Sequence, residues 1–108
     1  MAISNVINAN EASFDKLLAS TSKPVLVDFY ADWCGPCKML GPILEQLSRD
    51  YKDVLVVKID VDSNQNLAAK FGIRSIPTMI IFKDSENKET LNGVMTQPQL
   101  EAKLKQYS

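Results

Sequence analysis

No histidine occurs in this 108-residue chain. That removes every scheme in which an imidazole activates a serine or cysteine nucleophile. It also removes the side chain that most zinc and non-haem iron sites need. Only two cysteines are present, so the chain is no disulfide-dense secreted scaffold. It does not need to be one, because 108 residues suit a single domain, residues 1–108, with a core of its own. Positive charge is balanced rather than abundant: twelve Lys and Arg stand against thirteen Asp and Glu, a formal net charge of −1. No basic stripe is available to a nucleic acid or an anionic membrane. The apolar runs are too short to span a bilayer. The opening "MAISNVINANEASF" lacks the basic start and apolar stretch of a secretory signal. The expectation is a cytoplasmic monomer that binds neither nucleic acid nor membrane; an organellar stroma stays open.

What is present reads as alternating strands and helices. Asn10 is placed to cap a short helix in which Phe14, Leu17 and Leu18 recur at helical spacing. "VLVDFY", Val25 to Tyr30, is apolar, β-branched and aromatic, which predicts a strand covered on both faces. A long helix is expected from about Cys34 to Tyr51, with Leu40, Ile43, Leu44 and Leu47 as its apolar stripe and Pro42 kinking it. "VLVVKIDV", Val54 to Val61, predicts a second buried strand. Ser63 is placed to cap a short helix that Gly72 ends. "TMIIF", Thr78 to Phe82, predicts a third core strand, and Glu89 to Met95 a weak edge strand. "KDSENKET" lacks an Asn-Gly or Asp-Gly pair, so a loose turn is expected there. "TQPQ", Thr96 to Gln99, reads as a capping box for a last helix that turns Leu100 and Leu104 to the core. The fold class is therefore α/β, a mixed sheet with helices on both faces. The strand ending at Tyr30 delivers Cys34 to the tip of the sheet, where such proteins place their sites.

The two cysteines lie in "ADWCGPCKML", as Cys34 and Cys37. Spacing of three on a helix puts them within disulfide reach. A structural staple closing four residues would contribute only about 2 kcal/mol before strain. A tetrahedral metal site would lack two ligands in this chain. A working redox pair has more in its favour. At a helix N-terminus, free N–H groups and the helix dipole stabilise a Cys34 thiolate, the attacking species in disulfide exchange. Cys37, one turn in, is placed to attack the resulting mixed disulfide. Pro36 stiffens the first turn at little cost, and Gly35 leaves the backbone uncovered beside the sulfur.

"WCGPC" after a buried strand resembles the thioredoxin family, and the resemblance spans nearly the whole chain. It takes in "VDFYADWCGPCKM", the helix with Pro42, "VVKIDVD", "FGIRSIPTMIIF" and Gly93 before the last helix. It implies the thioredoxin fold, a central sheet of four to five strands in the order 1-3-2-4-5 flanked by four helices. It implies no bound cofactor, only a reversible Cys34–Cys37 disulfide that a separate reductase reduces. Asp28 breaks an apolar strand that leaves it no solvent face, so its pKa should be raised. The resemblance makes it the proton acceptor for Cys37. Lys58 breaks the next strand in the same manner; its ordinary explanation is a snorkelling side chain, and the resemblance places it near the buried acid. Pro77 is cis in the family and faces the disulfide, with Ile76 ready to pair with an extended substrate as in strand addition. Gly93 and Val94 would form the opposite wall. Trp33 is either core packing or an exposed contact residue. Asp32 and Lys38 read as solvated charges.

Two departures qualify the resemblance. Tyr30 stands where many thioredoxins carry a second Trp. Ser75 replaces a common Gly, which bears on target choice. "DFYADWCGPC" is similar to photosynthetic-lineage thioredoxins as much as to bacterial ones, which leaves an NADPH-dependent and a ferredoxin-dependent thioredoxin reductase both open. The function expected is a protein-disulfide reductase acting on oxidised target proteins. A thioredoxin-like assembly subunit and an isomerase-type oxidant are the alternatives.

Overall fold

The computed structural model describes residues 5–108. Five strands form one mixed sheet: β1 (Ile7–Asn8), β2 (Val25–Tyr30), β3 (Leu55–Asp60), β4 (Thr78–Lys83) and β5 (Glu86–Asn92). Their order is β1-β3-β2-β4-β5, and the described residues also form four helices: α1 (Phe14–Ala19), α2 (Gly35–Asp50), α3 (Gln65–Lys70) and α4 (Gln97–Lys105). β2 is the central strand, parallel to β3 and antiparallel to β4. Its residues alternate between two cores. Leu26 packs with Leu40, Leu44 and Leu47 of α2 and Leu100 and Leu104 of α4. Val25, Val27 and Phe29 pack on the other face with Phe14 and Leu18 of α1 and Leu67 of α3. Each such leucine or phenylalanine removed from water contributes roughly 1.5–3 kcal/mol, so α2 is held mainly by its buried stripe. The helix runs on through Pro42.

Local details correct several expectations. Asn10 does not sit at the helix boundary. Its Oδ1 accepts from the Ser13 amide while Ser13 Oγ accepts from the Asn10 amide, closing the turn that leads into α1. Ser63 is not the cap of α3; Asn64 holds that position, with no side-chain bond to the helix. The free N–H groups go elsewhere. Glu11 Oε1 accepts from the amides of Asn66 and Leu67 at 3.0 and 3.2 Å, and the Glu11 amide donates to Asn64 Oδ1. A carboxylate 55 residues away thus caps α3, which no local pattern shows. Removing an N-terminal cap of this kind costs about 1 kcal/mol, so Glu11→Ala is expected to lower the melting temperature by roughly 4–8 °C. Thermal denaturation followed by circular dichroism checks it. At the other end the α3 cap is as expected. Gly72 has φ +65°, and the amides of Gly72 and Ile73 return to the carbonyls of Ala69 and Ala68, the pairing of a Schellman motif.

The turn expected to be loose is tight. Lys83 pairs with Glu86, leaving only Asp84 and Ser85 between the strands, at φ +53° and +66°. Two left-handed central residues are the requirement of a type I′ hairpin turn. Asp tolerates that region without glycine because its short side chain bonds locally. The strand therefore starts at Glu86 rather than Glu89, and it ends at Asn92, three residues before the expected Met95. Its residues are exposed apart from Leu91 and half-buried Glu89, so polar side chains hid a strand whose backbone still pairs. The capping box at Thr96 and Gln99 forms as expected.

Candidate active site

Cys34 occupies the N-cap of α2, in extended conformation, and Gly35 opens the helix. The site therefore begins where β2 runs out and the helix dipole starts. Cys34 and Cys37 are joined by a disulfide with Cα atoms 5.2 Å apart. Cys34 Sγ accepts from the Cys37 amide at 3.2 Å, one of the free N–H groups at a helix start. Both cysteines are covered, at 4% and 6% exposure, so exposure does not rank them. Surroundings do. Cys34 Sγ lies 3.8 Å from the carbonyl oxygen of Ile76. Cys37 lines a surface cavity of about 280 Å³ with Tyr30, Gly41, Pro42 and Lys58. Gly35 and Pro36 are exposed and leave one side of the bridge open.

The bond between Ile76 and Pro77 is cis. Ile76 packs on Cys34, Cys37 and Ala31. The Pro77 carbonyl accepts from the Gly93 amide at 2.9 Å, with Gly93 at φ +87°. That conformation suits glycine and lets the chain leave β5 beside the proline. Val94 follows, exposed. A shallow groove of about 180 Å³ runs along Trp33, Val61, Ile73, Arg74, Ser75 and Ile76. Trp33 is not a core residue. It is 70% exposed, and its indole N–H donates to Asp62 Oδ2 at 2.8 Å. Sequence reasoning missed Asp62, because it lies 29 residues from Trp33 and only the adjacency of β2 and β3 brings their ends together. Met39, 66% exposed on α2, was missed as well; an apolar residue on the outer helix face carries no signal of its own.

Asp28, on the same face of β2 as Tyr30, is fully buried, and neither carboxyl oxygen has a hydrogen-bond partner among the described residues. Burial raises its pKa from 3.8 to about 7, and the positive charge of Lys58 holds it from going higher. Lys58 is the register partner of Asp28 on β3, so the two side chains share a sheet face. They form no ion pair within 4.0 Å. The Lys58 ammonium instead sits 4.3 Å from the centroid of the Tyr30 ring. Lys38 and Asp32 are exposed at the cavity mouth.

The family model described as Thioredoxin matches residues 5–106. The chain belongs to the thioredoxin family. It is 43% identical over 99 residues to a thioredoxin of Pseudomonas aeruginosa, covering 91% of this chain and 92% of that one. It is 40% identical over 107 residues to a chloroplastic M-type thioredoxin of Pisum sativum, covering 98% of this chain and 62% of that protein. Among solved structures, a mutant thioredoxin from Halobacterium salinarum superposes with a TM-score of 0.89 at 38% identity, over 99% of this chain and 95% of that one. Thioredoxins are thiol–disulfide oxidoreductases, and this thioredoxin carries the cysteine pair that the chemistry uses, joined as a disulfide. Membership brings two kinds of partner in general, a reductase upstream and target proteins downstream. Among the described residues, no group of three or more His, Cys, Asp and Glu side chains is placed to hold a metal ion. Among them, too, no helix is long and apolar enough to cross a membrane.

Proposed function

We propose that the chain, acting as one domain and as a monomer, is a general protein-disulfide reductase in which Cys34 attacks and Cys37 resolves. The observation that carries this is the two-sided setting of the disulfide. Cys34 Sγ lies at the Ile76 carbonyl, and Cys37 lines the cavity shared by Lys58, the register partner of Asp28. In the reduced protein, the Cys34 thiolate attacks one sulfur of a target disulfide, and the other target sulfur leaves as a thiolate. The Cys37 thiol passes its proton to Asp28 and attacks Cys34 Sγ. This forms the Cys34–Cys37 disulfide and expels the second target thiolate. Two electrons have moved from the dithiol to the target. Asp28 then returns its proton toward the departing thiolate. Its pKa of about 7 suits both directions near neutral pH.

The extended target segment would lie against Ile76 and Pro77, between Trp33 on one side and Gly93 and Val94 on the other. Backbone pairing at Ile76 gives affinity for many sequences, and the apolar rim gives contact area. Ser75 on the groove wall biases target choice. Lys58 supports the site by its charge near Asp28. A separate reductase, NADPH- or ferredoxin-dependent, regenerates the dithiol, and the chain holds no cofactor of its own. A reducing compartment, the cytoplasm or an organellar stroma, suits a protein that must be kept as a dithiol.

The test is insulin reduction driven by dithiothreitol, together with equilibration against glutathione. Acceleration of insulin precipitation and a potential near the roughly −270 mV of reductant thioredoxins are expected. An inert protein would point to an assembly subunit. A potential near −120 to −180 mV, roughly that of oxidants and isomerases, would point to the opposite direction of electron flow.

A further inference from the structure

The cavity beside Cys37 holds one arrangement that the exchange mechanism does not use. Tyr30 and Asp28 lie two residues apart on β2, so they point to the same sheet face. Lys58 is opposite Asp28 in the β2–β3 register, and Asp60 is opposite Tyr30. A lysine beside a buried, unpartnered carboxylate would ordinarily close onto it, because the Coulomb attraction grows as water is excluded. Lys58 does not. Its half-buried stem carries the ammonium to the face of the Tyr30 ring, at 4.3 Å, inside attractive range for a cation over an aromatic face. The other charged groups around this pair are Lys38 and Glu45 on α2 and Asp32 in the loop before it, all exposed at the rim. From β4, Asp28 meets only Met79, which is uncharged. Asp60, beside Lys58 on the same face of β3, is the further acid near the ring, yet the contact the ammonium makes is with the Tyr30 face.

We propose that Tyr30 is a positioning residue whose ring holds the Lys58 ammonium in the cavity beside Cys37, short of ion-pair contact with Asp28. The charge then tempers the buried acid without locking it in the ionised form, so Asp28 can both take and return a proton. The ring itself stays neutral throughout. Burial first, then the charges of Asp60, Asp32 and Asp28, raise the Tyr30 pKa above its ordinary value of 10. The significance of this device rests on the proton-acceptor role proposed for Asp28, but its test does not.

The test reads Asp28 directly, by carbon-13 NMR of its labelled carboxyl carbon against pH in the oxidised protein. Tyr30→Phe keeps a ring face and is expected to titrate like the wild type. Tyr30→Ala frees Lys58 to approach Asp28, and the midpoint is expected to fall by about one pH unit, as for a carboxylate gaining a cation within contact distance. Lys58→Met should raise the midpoint, and Tyr30→Ala added to Lys58→Met should lower it little or not at all. An unchanged midpoint in Tyr30→Ala overturns the assignment. So does a fall that persists undiminished in the Lys58→Met background, since water entering the cavity would then be its cause. Tyr30→Leu repeats the measurement if the alanine variant does not fold. Unchanged turnover in Asp28→Asn would remove the acceptor role and leave this assignment standing.

Discussion

Cys34→Ser is expected to reduce insulin reduction to the dithiothreitol background, while Cys37→Ser is expected to keep the first attack and lose the release. The asymmetry follows from where each sulfur sits. Cys34 Sγ lies at the N-cap, beside the Ile76 carbonyl and bonded to the Cys37 amide. A thiolate there keeps the amide bond and the helix dipole. No other nucleophile in the chain can replace it, because there is no third cysteine and no histidine. Cys37 instead lines the cavity with Tyr30, Pro42 and Lys58, away from the Ile76 carbonyl where a target segment is proposed to pair. Without it, the mixed disulfide on Cys34 has no neighbour to break it. Incubating Cys37→Ser with an oxidised lysate should therefore accumulate covalent adducts, which dithiothreitol releases and mass spectrometry identifies. Equal adduct yield on Cys34→Ser, through Cys37, would reverse the assigned roles. An empty trap would count against exchange altogether.

Asp28→Asn is expected to make the oxidised protein more stable above neutral pH and slower in turnover. The stability effect follows from linkage. The folded carboxyl titrates near 7 against an ordinary 3.8, so the folded state binds the proton more tightly than the unfolded chain. Below about pH 3 both states hold the proton and no ionisation cost arises. As pH rises toward 7 the unfolded chain releases it first, and stability falls. Above 7 the cost is complete, about 4 kcal/mol. Asparagine does not titrate, so this slope should vanish. At pH 8.5 the gain is the relieved ionisation cost less about 1–3 kcal/mol for burying an unpaired amide. Urea unfolding at pH 4, 7 and 8.5 measures it; a parallel pH slope in the variant would remove Asp28 as its source. Turnover moves the other way. An ordinary free thiol is only about 3% ionised at pH 7, so without an acceptor the loss should reach roughly thirtyfold there. It should shrink to less than about twofold by pH 9, where the thiol ionises unaided. Equal rates for variant and wild type from pH 6 to 9 would sink the acceptor role.

The two effects have one cause. An acid in a strand whose other residues are apolar destabilises the folded protein above neutral pH, and it supplies a group that exchanges protons near pH 7. Asp28 was legible as such because "VLVDFY" offers no polar face on which to place it. The same legibility extends to Cys34 and Cys37, whose spacing and position after a strand define their chemistry locally. It extends to α4, whose capping box lies within four residues. It failed wherever a partner is distant. Nothing near Glu11 marks it as the cap of a helix 55 residues on, and nothing near Asp62 marks it as the anchor of Trp33. The type I′ turn at Asp84 and Ser85 went unseen because its usual glycine is absent. β1, two residues long, is too short for any pattern and was implied only by the resemblance to thioredoxins.

By itself, then, the chain's order of residues determined the alternation of strands and helices, the buried acid and the redox pair at a helix start. Each depends on periodicity, capping or spacing within one or two turns. The tertiary structure decided what those pieces face. Parallel pairing of β2 with β3 set Lys58 opposite Asp28 and brought its ammonium over Tyr30. Antiparallel pairing of β2 with β4 placed the cis proline beside the strand that ends at the cysteines. Such neighbours arise from sheet order, which couples residues tens of positions apart. A local pattern does not name the partner strand.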